Sequence, residues 1–567
     1  MVVRAEIQRL LQEAIARAQT QGLLPQLTVQ DIPVDPPARP EHGDYASSIA
    51  LRLKRTVPDK SPLEIADILV RALPESDLLA TAEVAPPGFI NFRLADAWLA
   101  RQVDEINRAG RNFGRVSLGR GERVQVEYVS ANPTGPLTHG HGRGAALGDV
   151  LANLLDAAGY QVQREYYIND YGDQVEILGE TLYARYCQLL GQDVPLPPNA
   201  YQGSYVIDWA HEVIAQEGDR YLHLPREEAV QALQRIGIEK ALADIRQDLD
   251  RMGIRFDCWY TQSSLLESSR VAKTIEDLRA RGFVAEREGA VWFTSKGLGD
   301  DKENVLIRSN GSPTYFAADI AYHRNKFVER GFDRVIDVWG ADHHGHVPRM
   351  KAAMAALGID PNRLEFVLVQ MVSLRRGSEI VRASKRTGNY VTLREVLDEV
   401  GPDVCRFYYI SRSADSQMDF DLEQAKKESL DNPVYYLQYG HARIAGILRK
   451  ARARGITWEE GDVTLLQHPA ELALIRKMLL FPEVVADAAR KREPHRLPHY
   501  ARELADSFHS FYEQCRVLPG SGEAVTPLSQ ARLKLVQAAQ TTLANALALM
   551  GVSAPERMTR AEMAEEE

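Results

Sequence analysis

A glycine-rich stretch, residues 130–149, holds two imidazoles at the junction between a strand-like segment and a helix-like segment. It reads SANPTGPLTHGHGRGAALGD and follows the strand-like segment RVQVEYV (123–129). Glycines leave a backbone open to a flat ligand or a phosphate, and the helix N-terminus expected here favours an anion. His139 and His141 can donate hydrogen bonds to phosphoryl oxygens as charge develops. The stretch therefore predicts a phosphate site, although a Gly/Pro loop with incidental surface histidines stays open as the alternative.

A second stretch, VRASKRTGNYVTL (381–393), has the composition of a loop that closes on a phosphate. Ser384 and Lys385 stand between two arginines and ahead of Gly388. Such a loop can bring an ammonium group to a triphosphate. A basic turn before a helix is the alternative on this stretch alone. Neither stretch fits the GxxxxGK[ST] phosphate loop or the GxGxxG dinucleotide fingerprint.

The composition is that of a globular protein with several domains. A chain of 567 residues is too long for one hydrophobic core, and its hydrophobic (45%) and charged (26%) fractions are ordinary. The net charge of −10 argues against general affinity for nucleic acid, although 441–455 and 489–502 are locally basic. Such basic runs are also typical of solvated helix faces.

Targeting signals and metal motifs are not evident in the sequence. No apolar run reaches the ~18 residues of a membrane span, and charges interrupt the first 19 residues, unlike a signal peptide. Four widely spaced cysteines predict reduced thiols and no structural zinc. We expect a cytoplasmic protein without membrane contact.

Four regions position the two stretches. Residues 1–110 predict a small α+β domain that ends in the strand-like GFINFRL. Residues 120–430 alternate strands and helices, which predicts a Rossmann-like, doubly wound parallel sheet with a helical insertion at about 173–305. Residues 431–558 predict an all-α helical bundle, and 559–567 a flexible polar tail. The strands expected in the sheet are 123–129, 161–168, 333–340 and 365–374.

Together the two stretches resemble the HxGH and KMSKS signatures of class I aminoacyl-tRNA synthetases. YYINDYGDQ, GADHHGHVPRMKA and SRSADSQMDFDLEQAKKESLDNPVYYLQYGHARI are similar to the bacterial arginyl-tRNA synthetases. PEHGDYASSIALRLKR and GVSAPERM match near the two ends, so the resemblance covers all but the last nine residues. It implies ATP-dependent attachment of L-arginine to its tRNA through an arginyl-adenylate.

The signatures depart from the family pattern at three positions. Thr138 stands where the first motif histidine is expected, and Arg382 and Ala383 replace the usual Lys and Met. Whether Thr138 or His139 takes the role of that histidine stays open. These departures motivate a rival from another class, a catalytically weak tRNA-binding paralogue. The resemblance implies catalytic roles for His141, Thr138, His139, Lys385 and Ser384, and ATP contacts from Gly140, His141, Gly142, Gly144 and Lys385.

The resemblance also places an amino-acid pocket and its partners. The implied arginine-binding residues are Glu127, Ser130, Asn132, Tyr315, Asp319 and His343. Carboxylates such as Glu127 and Asp319 suit a guanidinium, and Tyr315 and Asp319 lie four apart on one helix face. Alternatively, Tyr315 is a core residue and Asp319 pairs with Arg324.

The remaining implied partner is tRNA. The C-terminal bundle is expected to bind the anticodon, and the N-terminal domain the elbow of the tRNA. The expected contacts are Arg443, Arg449, Lys450 and Tyr439, although the helical spacing of the tyrosines equally fits core packing. Mg²⁺ is expected to accompany ATP, with no prosthetic group, and the family is usually monomeric.

Overall fold

The structure is a computed structural model that describes residues 2–295, 297–298, 303–381, 390–520 and 522–558. Ser384, Lys385 and the tail 559–567 therefore lie outside the described residues. The predicted architecture is confirmed: an α+β domain, a parallel-sheet domain and an all-α domain follow one another along the chain. No helix in the described ranges is long and apolar enough to cross a membrane.

The N-terminal domain packs helices against a three-stranded antiparallel sheet of order β1-β3-β2. Helix α1 buries a stripe at helical spacing, from Val3 to Ala18. Helix α3 begins at a capping box in which Ser61 and Glu64 satisfy each other's backbone N–H groups. The elements are α1 (Val3–Thr20), β1 (Tyr45–Ser47), α2 (Ile49–Leu53), α3 (Pro62–Ala72), β2 (Leu79–Ala85), β3 (Phe89–Leu94) and α4 (Asp96–Ala109).

The central domain is built on five parallel strands in the order β11-β10-β4-β5-β6. The order reverses between β4 and β10, which is where doubly wound sheets bind ligands. The elements of its first part are β4 (Arg123–Glu127), α5 (His139–Ala157), β5 (Gln161–Ile168), α6 (Asp173–Leu189), α7 (Ser204–Glu217), α8 (Arg226–Arg251), β6 (Cys258–Thr261), α9 (Gln262–Glu267), α10 (Arg270–Ala280), β7 (Val284–Arg287), β8 (Ala290–Phe293) and β9 (Asn304–Ile307).

The second part of this domain completes the sheet and adds a small three-stranded sheet of order β13-β12-β14. Helix α5 covers one face of the main sheet, while α11 and α12 cover the other. The elements are α11 (Tyr315–Arg324), β10 (Arg334–Gly340), α12 (Val347–Ala356), β11 (Leu364–Val369), β12 (Val372–Arg376), β13 (Glu379–Ile380), α13 (Leu393–Val400), α14 (Pro402–Ile410), β14 (Met418–Asp421) and α15 (Leu422–Ala425).

Two sequence predictions differ from this arrangement. The segment 173–305 is mostly helical as far as Arg251 and mixed beyond it, because β6 joins the main sheet beside β5 and β7–β9 form an antiparallel sheet around α9 and α10 in sequence. The predicted strand 365–374 is two strands, and β12 belongs to the small sheet rather than the main one. Gln370, the one polar residue between the two apolar runs, stands at the break.

The C-terminal domain is a bundle of five helices, with α20 packed against α4, α16 and α19. The apolar core is continuous from α1 through the α5 face of the main sheet to α20. Helices α6–α8 share a separate core of their own. The elements are α16 (Pro433–Ala453), α17 (Pro469–Leu479), α18 (Phe481–Lys491), α19 (Arg496–Gln514) and α20 (Pro527–Met550).

Candidate active site

The histidine turn lies at the carboxyl edge of the main sheet, where Thr138 caps α5. The backbone N–H of Thr138 donates to Nδ1 of His141 at 3.1 Å, and the Thr138 hydroxyl lies 3.1 Å from the same nitrogen. Because that N–H can only donate, Nδ1 of His141 accepts and the ring proton lies on Nε2. Thr138 therefore orients His141 and fixes its tautomer, rather than simply replacing a missing imidazole.

His139 is held chiefly through its backbone. Its N–H donates to the carbonyl of Val391 at 3.1 Å, and its carbonyl accepts from the Tyr409 hydroxyl at 3.0 Å. Its Nδ1 is buried without a hydrogen-bond partner in the described structure, and burial lowers the pKa of the ring. The ring is therefore a neutral imidazole.

The three glycines of the turn serve two different purposes. A side chain on Gly142 would lie 2.8 Å from Leu393 and Tyr409, so this glycine allows α5 to pack closely against α13 and α14. Gly144 faces open space, and Gly140 has only the Thr138 hydroxyl nearby, at 3.7 Å. The expectation that all three approach a nucleotide is therefore not supported for Gly142, which faces the protein interior.

The two signature stretches meet through backbone hydrogen bonds. Thr138 forms an antiparallel bridge with Thr392, and the N–H of Leu393 donates to the carbonyl of Leu137 at 2.8 Å. With the bond from His139 to Val391, this makes a short ladder along the turn. The segment that follows residues 382–389 is thus attached directly to the start of α5.

Arg143 joins the same helix to the small sheet. Its buried guanidinium donates at 2.8 Å to the carbonyls of Gln370, Ser413 and Ser416. These carbonyls lie in the loops that lead into β12 and β14. A side chain of α5 therefore positions the sheet from which the second signature stretch departs.

Tyr315 is exposed on the first turn of α11, and Asp319, one turn further along the same face, is partly buried. Tyr315 is 53% exposed, so its interpretation as a core residue is wrong. Arg324 binds Asp277 and Glu329, so the alternative pairing of Asp319 with Arg324 is also wrong. The carboxylate of Asp319 has no hydrogen-bond or ion-pair partner among the residues described. Burial raises the pKa of Asp319 to about 7, with a further contribution from the charge of Glu127.

Glu127, predicted to bind arginine, is engaged by two side chains of the protein. Its Oε2 accepts from Nζ of Lys326 at 2.6 Å, and its Oε1 accepts from the Ser130 hydroxyl at 3.1 Å. The Ser130 hydroxyl in turn accepts from the backbone N–H of Tyr167 at 3.0 Å. Val129 and Ser130 have positive φ angles of 67° and 37°, a conformation that a β-branched residue seldom adopts. This strained turn places Ser130 between the ends of β4 and β5.

Lys326 is the centre of a buried charge layer beneath α11. Its ammonium group, with no exposed surface, binds Glu127 and also Asp337 at 3.1 Å. His323 bonds Asp337 through Nε2 at 2.7 Å and the carbonyl of Asp319 through Nδ1 at 2.8 Å. Both partners only accept, so the ring satisfies both only as an imidazolium. The charges of Lys326 and His323 outweigh burial and lower the pKa of Asp337.

Glu165 and Arg330 form the second half of this layer. Register places Glu165 and Asp337 on either side of Glu127, on neighbouring strands. Glu165 accepts from Arg330 and, at 2.5 Å, from the Tyr322 hydroxyl. Burial alone would raise the pKa of Glu165, but Arg330 and Lys326 outweigh it and lower the pKa.

The charges of this layer leave one carboxylate unmatched. Three buried carboxylates face three cations: Glu127, Glu165 and Asp337 against Lys326, Arg330 and His323. Asp319 is the fourth carboxylate, and among the described residues Arg349 acts on it through its charge but forms no ion pair with it. The site therefore has the charge needed by one additional guanidinium.

Most of this charge layer is not predicted from the sequence, although one signal is present. Polar residues alternate along β4, at Gln125 and Glu127, and along β5, at Gln163 and Glu165. A parallel strand covered by helices on both faces is normally apolar throughout, so this alternation marks a polar face. Lys326 gave no such signal, because it lies in a π-helical segment beyond α11 where the 3.6-residue period fails.

The other two predicted pocket residues differ in how closely they join this site. Asn132 donates to Gln174 at 2.6 Å and accepts from Asn169 at 3.1 Å, at the ends of β4 and β5. His343 is exposed at the end of β10, and its ring contacts are with Trp339 and His346. The structure thus brings Asn132 into the polar network and leaves His343 at the rim.

The predicted tRNA contacts on α16 are largely engaged within the protein. Tyr439 is buried, which excludes it as an open stacking surface. Arg443 lies over the ring of Tyr512, and Arg449 donates to the carbonyl of Glu556. Lys450 alone of the four predicted contacts is exposed.

The described residues hold no group of three or more His, Cys, Asp and Glu side chains with a metal-binding arrangement. The turn presents imidazole and backbone donors, which suit phosphate oxygens rather than a cation.

The fold and the turn define a class of protein. A doubly wound parallel sheet whose first helix opens on a Gly-His-Gly turn, followed by a helical C-terminal domain, is the arrangement of a class I aminoacyl-tRNA synthetase. The model of the catalytic domain of tRNA synthetases class I (R) matches residues 102–425. Models of the arginyl tRNA synthetase N-terminal domain and the DALR anticodon binding domain match residues 5–94 and 437–558. The chain belongs to the arginyl-tRNA synthetase family.

Individual relatives agree with this assignment. The arginine–tRNA ligase of Dehalococcoides mccartyi is 49% identical over 97% of this chain and 98% of its own length. The arginine–tRNA ligase of Syntrophotalea carbinolica is 50% identical over 98% of this chain and its own full length. The Thermus thermophilus arginyl-tRNA synthetase structure has a TM-score of 0.76 at 26% identity, covering 97% of this chain and 100% of that one. None of these relatives supports the inactive paralogue.

Proposed function

We propose that this chain joins L-arginine to its tRNA at the carboxyl edge of the main sheet. The arginine carboxylate attacks the α-phosphorus of ATP, which gives arginyl-adenylate and pyrophosphate. A hydroxyl of the terminal ribose of tRNA then attacks the acyl carbon and releases AMP. The observation that carries the choice of arginine is the unmatched carboxylate of Asp319 beside an otherwise balanced charge layer.

The histidine turn is proposed to hold the ATP phosphates. His141, with its proton on Nε2, donates to a phosphoryl oxygen, and Thr138 keeps the ring in that orientation. Gly140 and Gly144 leave room for the nucleotide. Mg²⁺ accompanies ATP and is held through the phosphate oxygens. Ser384 and Lys385 remain predictions from the sequence.

The amino-acid pocket is proposed to lie over Asp319 and Tyr315. The guanidinium pairs with Asp319 and contacts Tyr315, while Glu127 shapes the pocket through Ser130 and Lys326. Asn132 is placed to meet the polar end of the substrate. An uncharged analogue would leave the Asp319 carboxylate unpaired, so charge supplies the selectivity.

The outer domains are proposed to bind tRNA. The C-terminal bundle takes the anticodon, with Lys450 as the exposed basic contact on α16, and the N-terminal domain takes the elbow. We infer a monomer that acts in the cytoplasm and, as the family resemblance implies, needs tRNA before it activates arginine.

Arginine-dependent ATP–pyrophosphate exchange, measured with and without tRNA, tests this proposal. We expect exchange only when tRNA is present. Tight tRNA binding without exchange under either condition would identify the inactive paralogue instead. Citrulline, the uncharged analogue of arginine, should not support exchange, because it leaves the Asp319 carboxylate unpaired.

A further inference from the structure

The hydroxyl of Tyr167 is a buried polar group whose role the reaction described above does not explain. Tyr167 is only 6% exposed, and its hydroxyl oxygen has no hydrogen-bond partner in the described part of the chain. Its backbone is fixed at the end of β5, because its N–H donates to the Ser130 hydroxyl at 3.0 Å. Buried hydroxyls nearly always find a partner, so an orphaned one at a binding edge points to a missing ligand.

The surroundings of this hydroxyl show where that ligand would lie. Apart from burial, the groups that most raise the pKa of Tyr167 are Asp319, Tyr315 and Glu127. These are three of the residues placed in or beneath the arginine pocket. The contacts agree with this location, because Ser130, which accepts from the N–H of Tyr167, bonds Glu127, and Tyr322, which packs on its ring, bonds Glu165. The side chain therefore lies beside the charge layer under the pocket.

The ring itself is held in a rigid aromatic stack. Tyr322 packs against it with centroids 4.6 Å apart, and Tyr260 stacks on it at 6.2 Å with planes 13° apart. Packing alone would be satisfied by phenylalanine, which lacks the hydroxyl. The phenolic oxygen is an acceptor as well as a donor, and a guanidinium offers five N–H donors.

We propose that Tyr167 is a specificity-determining residue whose hydroxyl accepts an N–H of the arginine guanidinium while Asp319 neutralises its charge. The inference rests on the proposed function and adds a neutral acceptor to the same pocket. Packing against Tyr322 holds the oxygen in place before substrate arrives, so binding need not order this side chain.

The test is Tyr167→Phe, with Tyr260→Phe as the matched control. Tyr260 also has a buried hydroxyl that finds no partner among the described residues, but its charged neighbours are Arg270, Arg330, Glu165 and Glu329. Each variant loses one oxygen and keeps its ring. Arginine KM, ATP KM and kcat are measured by exchange in the presence of tRNA, and melting temperatures with and without arginine.

We expect Tyr167→Phe to raise the arginine KM roughly tenfold to hundredfold, the range for a hydrogen bond to a charged group. The ATP KM stays unchanged, and the variant melts no lower than the wild type without arginine but gains less stability from arginine. Tyr260→Phe should leave the arginine KM within twofold of wild type. Equal arginine KM values for the two variants would overturn the inference. A wild-type enzyme that shows neither exchange nor stabilisation by arginine would refute the proposed function itself.

Discussion

At the scale of single residues, Asp319 is the group whose protonation state decides whether the pocket can take a cation. Its pKa lies at about 7, because it is buried near Glu127 and Asp337, with His323 and Arg349 opposing that rise. Below this pH the group is a neutral acid, and above it a carboxylate. Arginine binding is therefore linked to the loss of one proton.

This linkage predicts a pH-dependent arginine KM. The fraction of Asp319 in the carboxylate form rises about tenfold between pH 6 and pH 8, so the KM should fall roughly tenfold over that interval. Exchange at pH 6, 7 and 8 measures it, with Asp319→Asn as the control. The control should show a high KM that does not change with pH, and a flat wild-type profile would contradict the assignment.

The raised pKa of Asp319 also means that its ionised carboxylate destabilises the folded protein when no arginine is bound. Because the folded pKa of Asp319 exceeds the usual value of 3.8, the folded state loses stability as pH rises from about 4 to about 7. Asp319→Asn should therefore melt higher than the wild type at pH 8 and gain little at pH 4. An equal difference at the two pH values would show that the aspartate is not buried in its ionised form.

Thr138 and His141 have separable roles in the turn. Thr138→Val keeps the N–H that donates to Nδ1 of His141 and removes only the hydroxyl. We expect it to lower kcat less than about tenfold, whereas His141→Asn should cost about 100-fold or more, as for other oxyanion donors. Exchange kinetics with tRNA compare the two. Equal losses would mean that the Thr138 hydroxyl itself contacts the phosphates.

At the scale of elements, α11 and its π-helical extension carry the cations that balance the strand carboxylates. Lys326→Met would leave Glu127 and Asp337 buried without their ammonium partner. Such a change costs about 3–5 kcal/mol of the free energy of unfolding. Urea titration measures this, and Lys273→Met, at an exposed position of α10, is the control. A loss below about 1 kcal/mol would show that the layer does not depend on Lys326.

The elements were predicted from sequence where their own pattern is long and regular. The helix whose N-terminus is expected within residues 130–149 is α5, His139–Ala157, and the expected strands 123–129 and 161–168 are β4 and β5. Strand β6 was missed because four residues are too few to show a period. The position of Asp319 could be inferred from its spacing to Tyr315. Its lack of a partner could not, because it depends on Lys326, Arg330 and His323 pairing elsewhere.

At the scale of the whole molecule, one buried arginine joins the catalytic domain to the last helix. Arg406 binds Asp149 on α5 and donates to the carbonyls of Met550, at the end of α20, and Met252. Asp149 and Arg406 are both buried, so neither has water as an alternative partner.

Arg406→Met should therefore loosen the contact between the two domains. We expect a loss of about 3–5 kcal/mol in the free energy of unfolding, because Asp149 loses its nearest buried cation and keeps only the more distant Arg164, at 3.8 Å. Arg108→Met removes an exposed pair with Glu105 and should change the free energy by less than about 1 kcal/mol. Denaturant titration compares the two variants, and similar losses would contradict the role of Arg406.

The unbroken apolar core that runs from α1 to α20 has a consequence for how this enzyme can be divided. Truncation of the polypeptide after Ala425 would remove the C-terminal helices that pack against α5 and α14, and it would expose apolar surface to water. Calorimetry of the intact enzyme should accordingly show one main unfolding transition for all three domains. Isolated fragments should aggregate rather than fold.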